Sequence, residues 1–260
     1  MKKFLKKISP FIPESKLKDD LRCLQNNFLT DNRFKVSRKK NLLQFKFKDN
    51  SKFICSFASG SGTIIEEARI ILEGYLKYYK LRKGDIIIDC GAHIGMFSLF
   101  ASQKVGHHGK IIALEPDDEN YKELLGNIKL NNVKNIIAVN KGVWDKNAEL
   151  NFEGSLGVSS TISQRESGEK VLVSTIDNIV KEFKLKRVDF IKMDIEGAEI
   201  EAIIGAKKTL KNNNVNLAIA SYHLRDGQQT YKRLEKILKN MNYNTITTFS
   251  DHLTTFAKPK

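Results

Sequence analysis

Asp-Ile-Ile-Ile-Asp-Cys-Gly-Ala-His-Ile-Gly, residues 85–95, decides the fold of this 260-residue chain. Three β-branched residues, Ile86 to Ile88, run into an acid, Asp89. A turn bracketed by Gly91 and Gly95 follows, then an apolar helical stretch from Met96 to Ala101. β-Branched runs fit strands, and glycine accepts the backbone of a tight turn. Strand, glycine turn and helix in that order bring backbone N–H groups and a helix N-terminus against a nucleotide-like ligand. A second run, Lys110-Ile-Ile-Ala-Leu-Glu115-Pro116, ends in another acid, 26 residues beyond Asp89. That is near the spacing of a carboxylate that grips ribose hydroxyls after a βαβ crossover. The pattern points to an adenosine-containing cofactor.

Glycine spacing narrows the choice. A dinucleotide site needs a second glycine two residues after the first, where backbone approaches a pyrophosphate. Here that position is His93, preceded by Ala92. A side chain there crowds the diphosphate of NAD. It matters less to S-adenosylmethionine, which carries an amino acid and a sulfonium instead. A tight turn with no ligand is the minority alternative.

Composition sets the frame. Hydrophobic residues make up 41% of the chain, enough for a substantial core, and the net charge is +14. Such charge invites a nucleic-acid reading. The lysines are scattered, however, and no basic run interleaves with aromatics to form a stacking platform. The charge therefore reads as a solvated face; nucleic acid is not expected as a partner, while peripheral contact with a membrane surface stays open. Three separated cysteines, Cys23, Cys55 and Cys90, fit a reducing compartment and neither a disulfide framework nor a zinc site. No run reaches the roughly 18 apolar residues of a membrane span. The N-terminal Met-Lys-Lys-Phe-Leu-Lys-Lys-Ile opens like a signal peptide, but Lys6, Lys7, Pro10 and Pro13 interrupt its apolar part. A cytoplasmic location is the expectation.

The chain divides near residue 82. In 1–82, Leu17, Leu21, Leu24 and Phe28 recur at helical spacing and predict an amphipathic helix over 14–29. Residues 42–48 and 51–57 read as a hairpin about Asp49-Asn50, and 64–79 as a helix with Ala68, Ile71, Leu72, Tyr75 and Tyr79 on one face. The Ser59-Gly60-Ser61-Gly62 turn is either a cover for the ligand or an ordinary loop. This extension is expected to act as a substrate lid. In 83–260, strands at 85–90, 110–115, 135–140, 188–193 and 216–221 alternate with helices, which predicts a parallel sheet. Strand-like 149–152 and 171–173 flank a Gly/Ser-rich insertion, 154–168. After a helix bearing Tyr231, Leu234, Leu238 and Met241, two strands at 243–248 and 253–257 are joined by a turn short enough to make them antiparallel. The expected fold class is α/β: a seven-stranded, mostly parallel, doubly wound Rossmann-like sheet, which resembles the class I methyltransferase fold, with an N-terminal helix and hairpin extension.

Two motifs make the resemblance specific. Ile191-Lys-Met-Asp-Ile-Glu-Gly-Ala-Glu199, together with Asp89-Cys-Gly-Ala-His-Ile-Gly95, resembles the FkbM-type methyltransferase family, and Val173-Ser-Thr-Ile-Asp177 precedes the nonapeptide as it does there. The resemblance covers about residues 64–257. It implies methyl transfer from S-adenosylmethionine, usually to a hydroxyl oxygen of a natural product, lipid or sugar, so the expected partner is a small-molecule or glycan acceptor.

Position assigns roles. Ligands sit beyond the carboxyl ends of strands in open α/β sheets. Asp89 is expected to hold the methionine amino group, with the backbone of Gly91, Ala92, His93 and Gly95 against it. Glu115 is expected on the ribose hydroxyls, with Pro116 and Asn120 nearby, and Gly142, Val143 and Trp144 at the adenine. For Trp144 a plain core position is an equal alternative. Period two puts Lys192 and Asp194 on one face of their strand. A lysine in so apolar a strand should meet a carboxylate. Asp194 is the first candidate to orient or deprotonate the acceptor, and His223 the second. Glu196 and Glu199 open a helix; Glu199 reads as a cap, while Glu196 is balanced between cap and site. No metal is expected, because no Asp-Asn pair ends the next strand as in magnesium-dependent relatives of this fold. Two other readings stay open. An RNA or protein methyltransferase fits the charge but lacks the Asn/Asp-Pro-Pro-Tyr/Phe motif, and a non-catalytic cofactor-binding scaffold would not need the set Asp89, Glu115 and Asp194. Basic residues around the acceptor would suit an anionic glycan.

Overall fold

The computed structural model describes residues 16–29, 34–40, 42–48, 52–56, 65, 68, 70–153, 161–163, 169–225, 227–248 and 252–260. The turns at 49–50, 59–62 and 250–251, the N-terminal residues 1–15 and most of the 154–168 insertion lie outside them.

Seven strands form the central sheet: β4 (Ile86–Cys90), β5 (Lys110–Leu114), β6 (Ile136–Val139), β11 (Phe190–Met193), β12 (Asn216–Ala220), β15 (Tyr243–Thr248) and β16 (Thr254–Pro259). Their order is β6-β5-β4-β11-β12-β16-β15. All neighbours from β6 to β12 are parallel, and β16 runs antiparallel to both β12 and β15. β4 and β11, at the centre, are apolar along nearly their whole length, as strands buried on both faces must be. The order reverses beside β4, so its carboxyl end opens at the switch point of the sheet.

Helices cover both faces. α2 (Met96–Val105) and α3 (Asp118–Leu130) lie on one, and the core there includes Phe97, Leu99, Phe100 and Leu124. α4 (Ile176–Glu182), α5 (Glu199–Ile204), α6 (Lys207–Asn212) and α7 (Tyr231–Asn240) lie on the other, with Ile179, Ile203, Leu234 and Leu238 buried. Asp117 caps α3 by accepting from the N–H groups of Glu119 and Asn120. α5 breaks from α6 at Gly205, where a Cβ would stand 2.2 Å from the Trp144 carbonyl oxygen.

A second sheet, β7-β10-β8-β9, is built from Gly142–Val143, Glu169–Ser174, Ala148–Glu153 and Thr161–Ser163. It contains both expected insertion strands. Trp144 leaves it to pack with Val173 and Ala198, the plain core position given as its alternative.

The N-terminal region departs from expectation in three places. The helix, α1 (Lys16–Leu29), forms, but Leu17 and Leu24 are 62% and 47% exposed, and Cys23 turns inward instead. Asn27 on that helix bonds the backbone N–H and carbonyl of Val36 on an unexpected strand, β1 (Phe34–Lys39). β1 joins the expected hairpin, β2 (Leu42–Phe47) and β3 (Lys52–Ser56), in a three-stranded antiparallel sheet. Its inner face carries Phe34, Phe45, Phe47 and Phe53, and Phe47 meets Phe100 of α2 at 4.8 Å. Asn131 bonds both the N–H and the carbonyl of Ile54. These contacts hold the small sheet on the α2–α3 face. Third, the helix expected to reach Tyr79 passes into a π-helical turn, Ile71–Tyr75, and ends there. Tyr79 lies beyond it, stacked on Phe190 and bonded to Asp85.

Candidate active site

The carboxyl ends of β4, β5, β11 and β12 define the site. β4 ends in Asp89 and Cys90, and the chain turns through Gly91 (φ +73°) and His93 (φ +51°) into α2. A Cβ at Gly91 would lie 1.9 Å from the Asp194 carbonyl oxygen, so only glycine lets the two turns cross this closely. The N–H groups of Gly91 and Ala92 both donate to the Leu114 carbonyl, and the His93 N–H donates to Glu115 at 2.7 Å. Glu115 also accepts from Asp117 N–H. Burial raises the Glu115 carboxyl, and those two backbone donors offset part of the rise. Pro116 follows directly, and Asn140 donates to the carbonyls of Glu115 and Pro116. Asn120 lies in the first turn of α3 and Gly142–Val143 are buried beyond β6.

Lys192 meets a carboxylate, as its place in an apolar strand required. β11 and β4 pair Lys192 with Asp89 across the sheet. The ammonium lies 3.2 Å from Asp89 Oδ1 and donates to the Gly91 carbonyl at 2.6 Å. Asp89 is fully buried and also accepts from Ser98 Oγ at 2.6 Å. Both charges are thus engaged within the fold, and they reach the site through the position of the glycine turn.

Beyond β11 the backbone bends through Asp194, Ile195, Glu196 (φ +53°) and Gly197 (φ +100°). A non-glycine residue in the left-handed region is uncommon and held there by its surroundings. Here Glu199 supplies the hold: fully buried, its Oε1 accepts from the N–H groups of Gly197 and Ile195. Glu199 thus braces the turn ahead of α5 and not the first-turn N–H groups that helix capping would engage, and the same oxygen lies 2.8 Å from His223 Nδ1. His223 Nε2 lies 3.2 Å from Glu196 and 3.7 Å from Asp194. Glu196 therefore belongs to the site cluster.

Two residues that sequence reasoning did not single out complete it. Tyr75, at the end of the π-helical turn, donates to Asp194 Oδ2 at 2.7 Å, and His252 Nε2 lies 3.7 Å from the same oxygen. Tyr75 and His252 pack edge-on, and Tyr222 flanks both histidines. The periodicity that placed Tyr75 on an apolar face was the only signal for it, and His252 had none.

The charges decide what these groups can do. Burial would raise the Asp194 carboxyl, but contact with His252 and the positive charges of Lys192, His252 and His223 outweigh it and hold it well below the usual carboxylate range. Asp194 is therefore a strong acceptor and a weak base. Burial would lower His223, yet Glu196, Glu199 and Asp194 raise it to about 10. Those carboxylates favour the imidazolium, in which His223 faces Glu196 and Glu199 with its ring N–H groups. Burial, then Asp194, pushes the Tyr75 hydroxyl well above its ordinary value, so it stays a donor. Ile70, Ile71, Tyr75, His93, Phe97 and Asp194 are among the residues enclosing a cavity of about 70 Å³ over the glycine turn.

Residues 89–245 match the methyltransferase FkbM domain model. Over 157 residues the chain is 23% identical to a hexuronic acid methyltransferase, AglP, from Haloferax volcanii, covering 60% of each. It is 28% identical over 143 residues to methyltransferase 1 of Beauveria bassiana, covering 46% of this chain and 57% of that protein. The matches span about three fifths of these relatives' lengths. The crystal structure of methyltransferase FkbM from Methylobacillus flagellatus KT superimposes with a TM-score of 0.53 at 21% identity, covering 76% of this chain and 53% of that one, and shows the same fold.

Proposed function

This chain belongs to the FkbM methyltransferase family, whose methyl donor is S-adenosylmethionine, and from that premise we propose that it O-methylates a sugar or glycan-linked acceptor. The observation that carries the reading is the convergence of Asp194, Glu196, His223, Tyr75 and His252 beside the glycine turn. In this reading the methionine moiety lies along Gly91, Ala92, His93 and Gly95, which Asp89 and Lys192 hold in place. Glu115 exchanges one backbone donor for the ribose hydroxyls, with Pro116 and Asn120 at its side. The adenine lies toward Gly142, Val143 and Trp144.

Methyl transfer is an in-line displacement. A lone pair of the acceptor oxygen forms the new C–O bond, the C–S bond breaks with its electrons returning to sulfur, and the hydroxyl proton leaves to water. The largest contribution expected of the protein is alignment. Tyr75 fixes one oxygen of Asp194, and the other is free to accept from the substrate hydroxyl and set its direction. Because Asp194 is a weak base, its role is orientation. The 70 Å³ cavity is far smaller than the roughly 300 Å³ of a small-molecule site, so admitting the cofactor requires side chains lining it, Ile71 and Tyr75 among them, to move.

The relative that acts on a hexuronic acid supports a uronic-acid-bearing sugar as acceptor. The test supplies S-adenosylmethionine labelled in its methyl group with uronic-acid and neutral glycans, bulk RNA and a protein extract in parallel. Label in an acid- and base-stable sugar O-methyl group, with preference for the uronic-acid glycan, is expected. Label confined to RNA or protein would overturn the reading, and equal or better use of the neutral glycan would remove the anionic preference.

A further inference from the structure

We propose that Asp194, Glu196 and His223 form a binding site for one divalent metal ion of the Mn²⁺ or Zn²⁺ class. One ligand atom from each of the three lies within 4.8 Å of the others, a spread that a single ion can bridge. The donor set is one imidazole and two carboxylates. Imidazole favours transition ions and carboxylates favour harder cations, so the mixed set suits Mn²⁺ or Zn²⁺ better than Mg²⁺.

The surroundings are built as a ligand site is built. Metal-bound histidines hand their second ring N–H to a carboxylate, which fixes the tautomer and aims the free nitrogen. His223 Nδ1 lies 2.8 Å from Glu199, close enough to play that part once the ring turns into line, and Glu199 is fully buried and held by two backbone N–H groups. Nε2 lies between Glu196 and Asp194, and a bound ion would take the place of the proton it carries in the metal-free chain. His223 is only 8% exposed, and neither of its ring nitrogens makes a well-aligned hydrogen bond despite their nearness to Glu196 and Glu199. Asp194 Oδ1, also buried, lacks a hydrogen-bond donor, while Oδ2 is taken by Tyr75. Buried polar atoms are normally satisfied, and a cation between these two would satisfy both. The expectation of no metal came from the lack of an Asp-Asn pair after β12. This set is different, because its nitrogen arrives from Ser221-Tyr222-His223 and its second carboxylate from the turn after β11.

The site stands on its own geometry. Only the role of the ion rests on the methyl-transfer reading: bound beside Asp194, it would polarise the acceptor hydroxyl and ease loss of its proton to water. The experiment titrates chelator-stripped protein with Mn²⁺, Zn²⁺ and Mg²⁺, followed by calorimetry and by the spin resonance of free Mn²⁺, for the wild type and for His223→Gln and Glu196→Gln. One Mn²⁺ or Zn²⁺ per chain, bound at micromolar strength and weakened at least 10-fold in each folded variant, is expected. No saturable binding to the wild type, preference for Mg²⁺, or binding that survives both substitutions would overturn the site. Spin-echo spectra of Mn²⁺ on the wild type give a readout independent of variant folding: coupling to one imidazole nitrogen supports the site, and its absence overturns it. S-adenosylmethionine titrated into the same stripped protein keeps the two readings apart, since loss of either ligand leaves the other measurable.

Discussion

Replacing Lys192 by Met should be among the most damaging single changes in the sheet. The thioether keeps most of the aliphatic stem and removes the ammonium that sits 3.2 Å from Asp89 and 2.6 Å from the Gly91 carbonyl. At an effective dielectric near 20, the attraction across that distance is about 5 kcal/mol. Much of it offsets desolvation, but removing one member leaves the other as an uncompensated buried charge, which typically costs about 3–5 kcal/mol. For a chain this size that corresponds to a fall of roughly 10 °C in melting temperature. Ser98 Oγ, 2.6 Å from Asp89, donates a neutral hydrogen bond and does not replace the lost charge. Adding Asp89→Asn to Lys192→Met should recover about 2 kcal/mol or more, because the pair is then neutral. Urea and thermal unfolding of the wild type, both single variants and the double variant measure the cycle. A single-variant cost below about 1 kcal/mol, or a double variant as damaged as the sum of the singles, would refute the reasoning.

Other expectations follow from the same geometry. Gly91→Ala should destabilise the fold by about 3 kcal/mol or more, since it combines a left-handed backbone with a Cβ 1.9 Å from the Asp194 carbonyl; a stable variant with normal cofactor affinity would contradict the close crossing. Glu115→Ala should weaken S-adenosylmethionine at least 10-fold by calorimetry, and unchanged affinity would remove the ribose assignment. Asp194→Asn should lower kcat about 10²-fold with little change in cofactor affinity, whereas a loss confined to KM would deny it an orienting role in the transition state. In chelator-treated protein, the His223 contribution to stability is fully present below its unfolded value near 6.5 and is lost as pH rises through its folded value of about 10. Wild type should therefore lose stability relative to His223→Asn by up to about 1.4 kcal/mol per pH unit across that window, read from urea midpoints. A pH-independent difference would show that Glu196 and Glu199 do not hold the proton there.

The parts of this molecule that were legible in its sequence are those encoded locally. The strands ending in Asp89 and Glu115 announced themselves by unbroken apolar runs followed by a turn, and both lie in the central sheet. Lys192 was readable as half of an ion pair because nothing else explains a cation in a fully buried strand; Asp89 as its partner needed the β4–β11 register. Where the signal was weak, tertiary context decided. Lys35, Arg38 and Lys39 masked the alternation of β1, whose inward residues are only Phe34 and Val36. Leu17 and Leu24 of the expected stripe on α1 face solvent, while Asn27 of the same helix bonds Val36 of β1. Tyr75 and His252 reach Asp194 across 119 and 58 positions of sequence, and no local pattern records so distant a contact. The charge state of His223 was likewise invisible, because Glu196 and Glu199 reach its two ring nitrogens only through the left-handed bend at Glu196 and Gly197.

The most direct test of the central claim is calorimetric titration of the protein with S-adenosylmethionine, S-adenosylhomocysteine and NAD in parallel. The account expects one site per chain at micromolar affinity for both adenosyl ligands, near −8 kcal/mol, and none for NAD, whose diphosphate would meet His93. Binding of NAD in preference, or of none of the three, would contradict it.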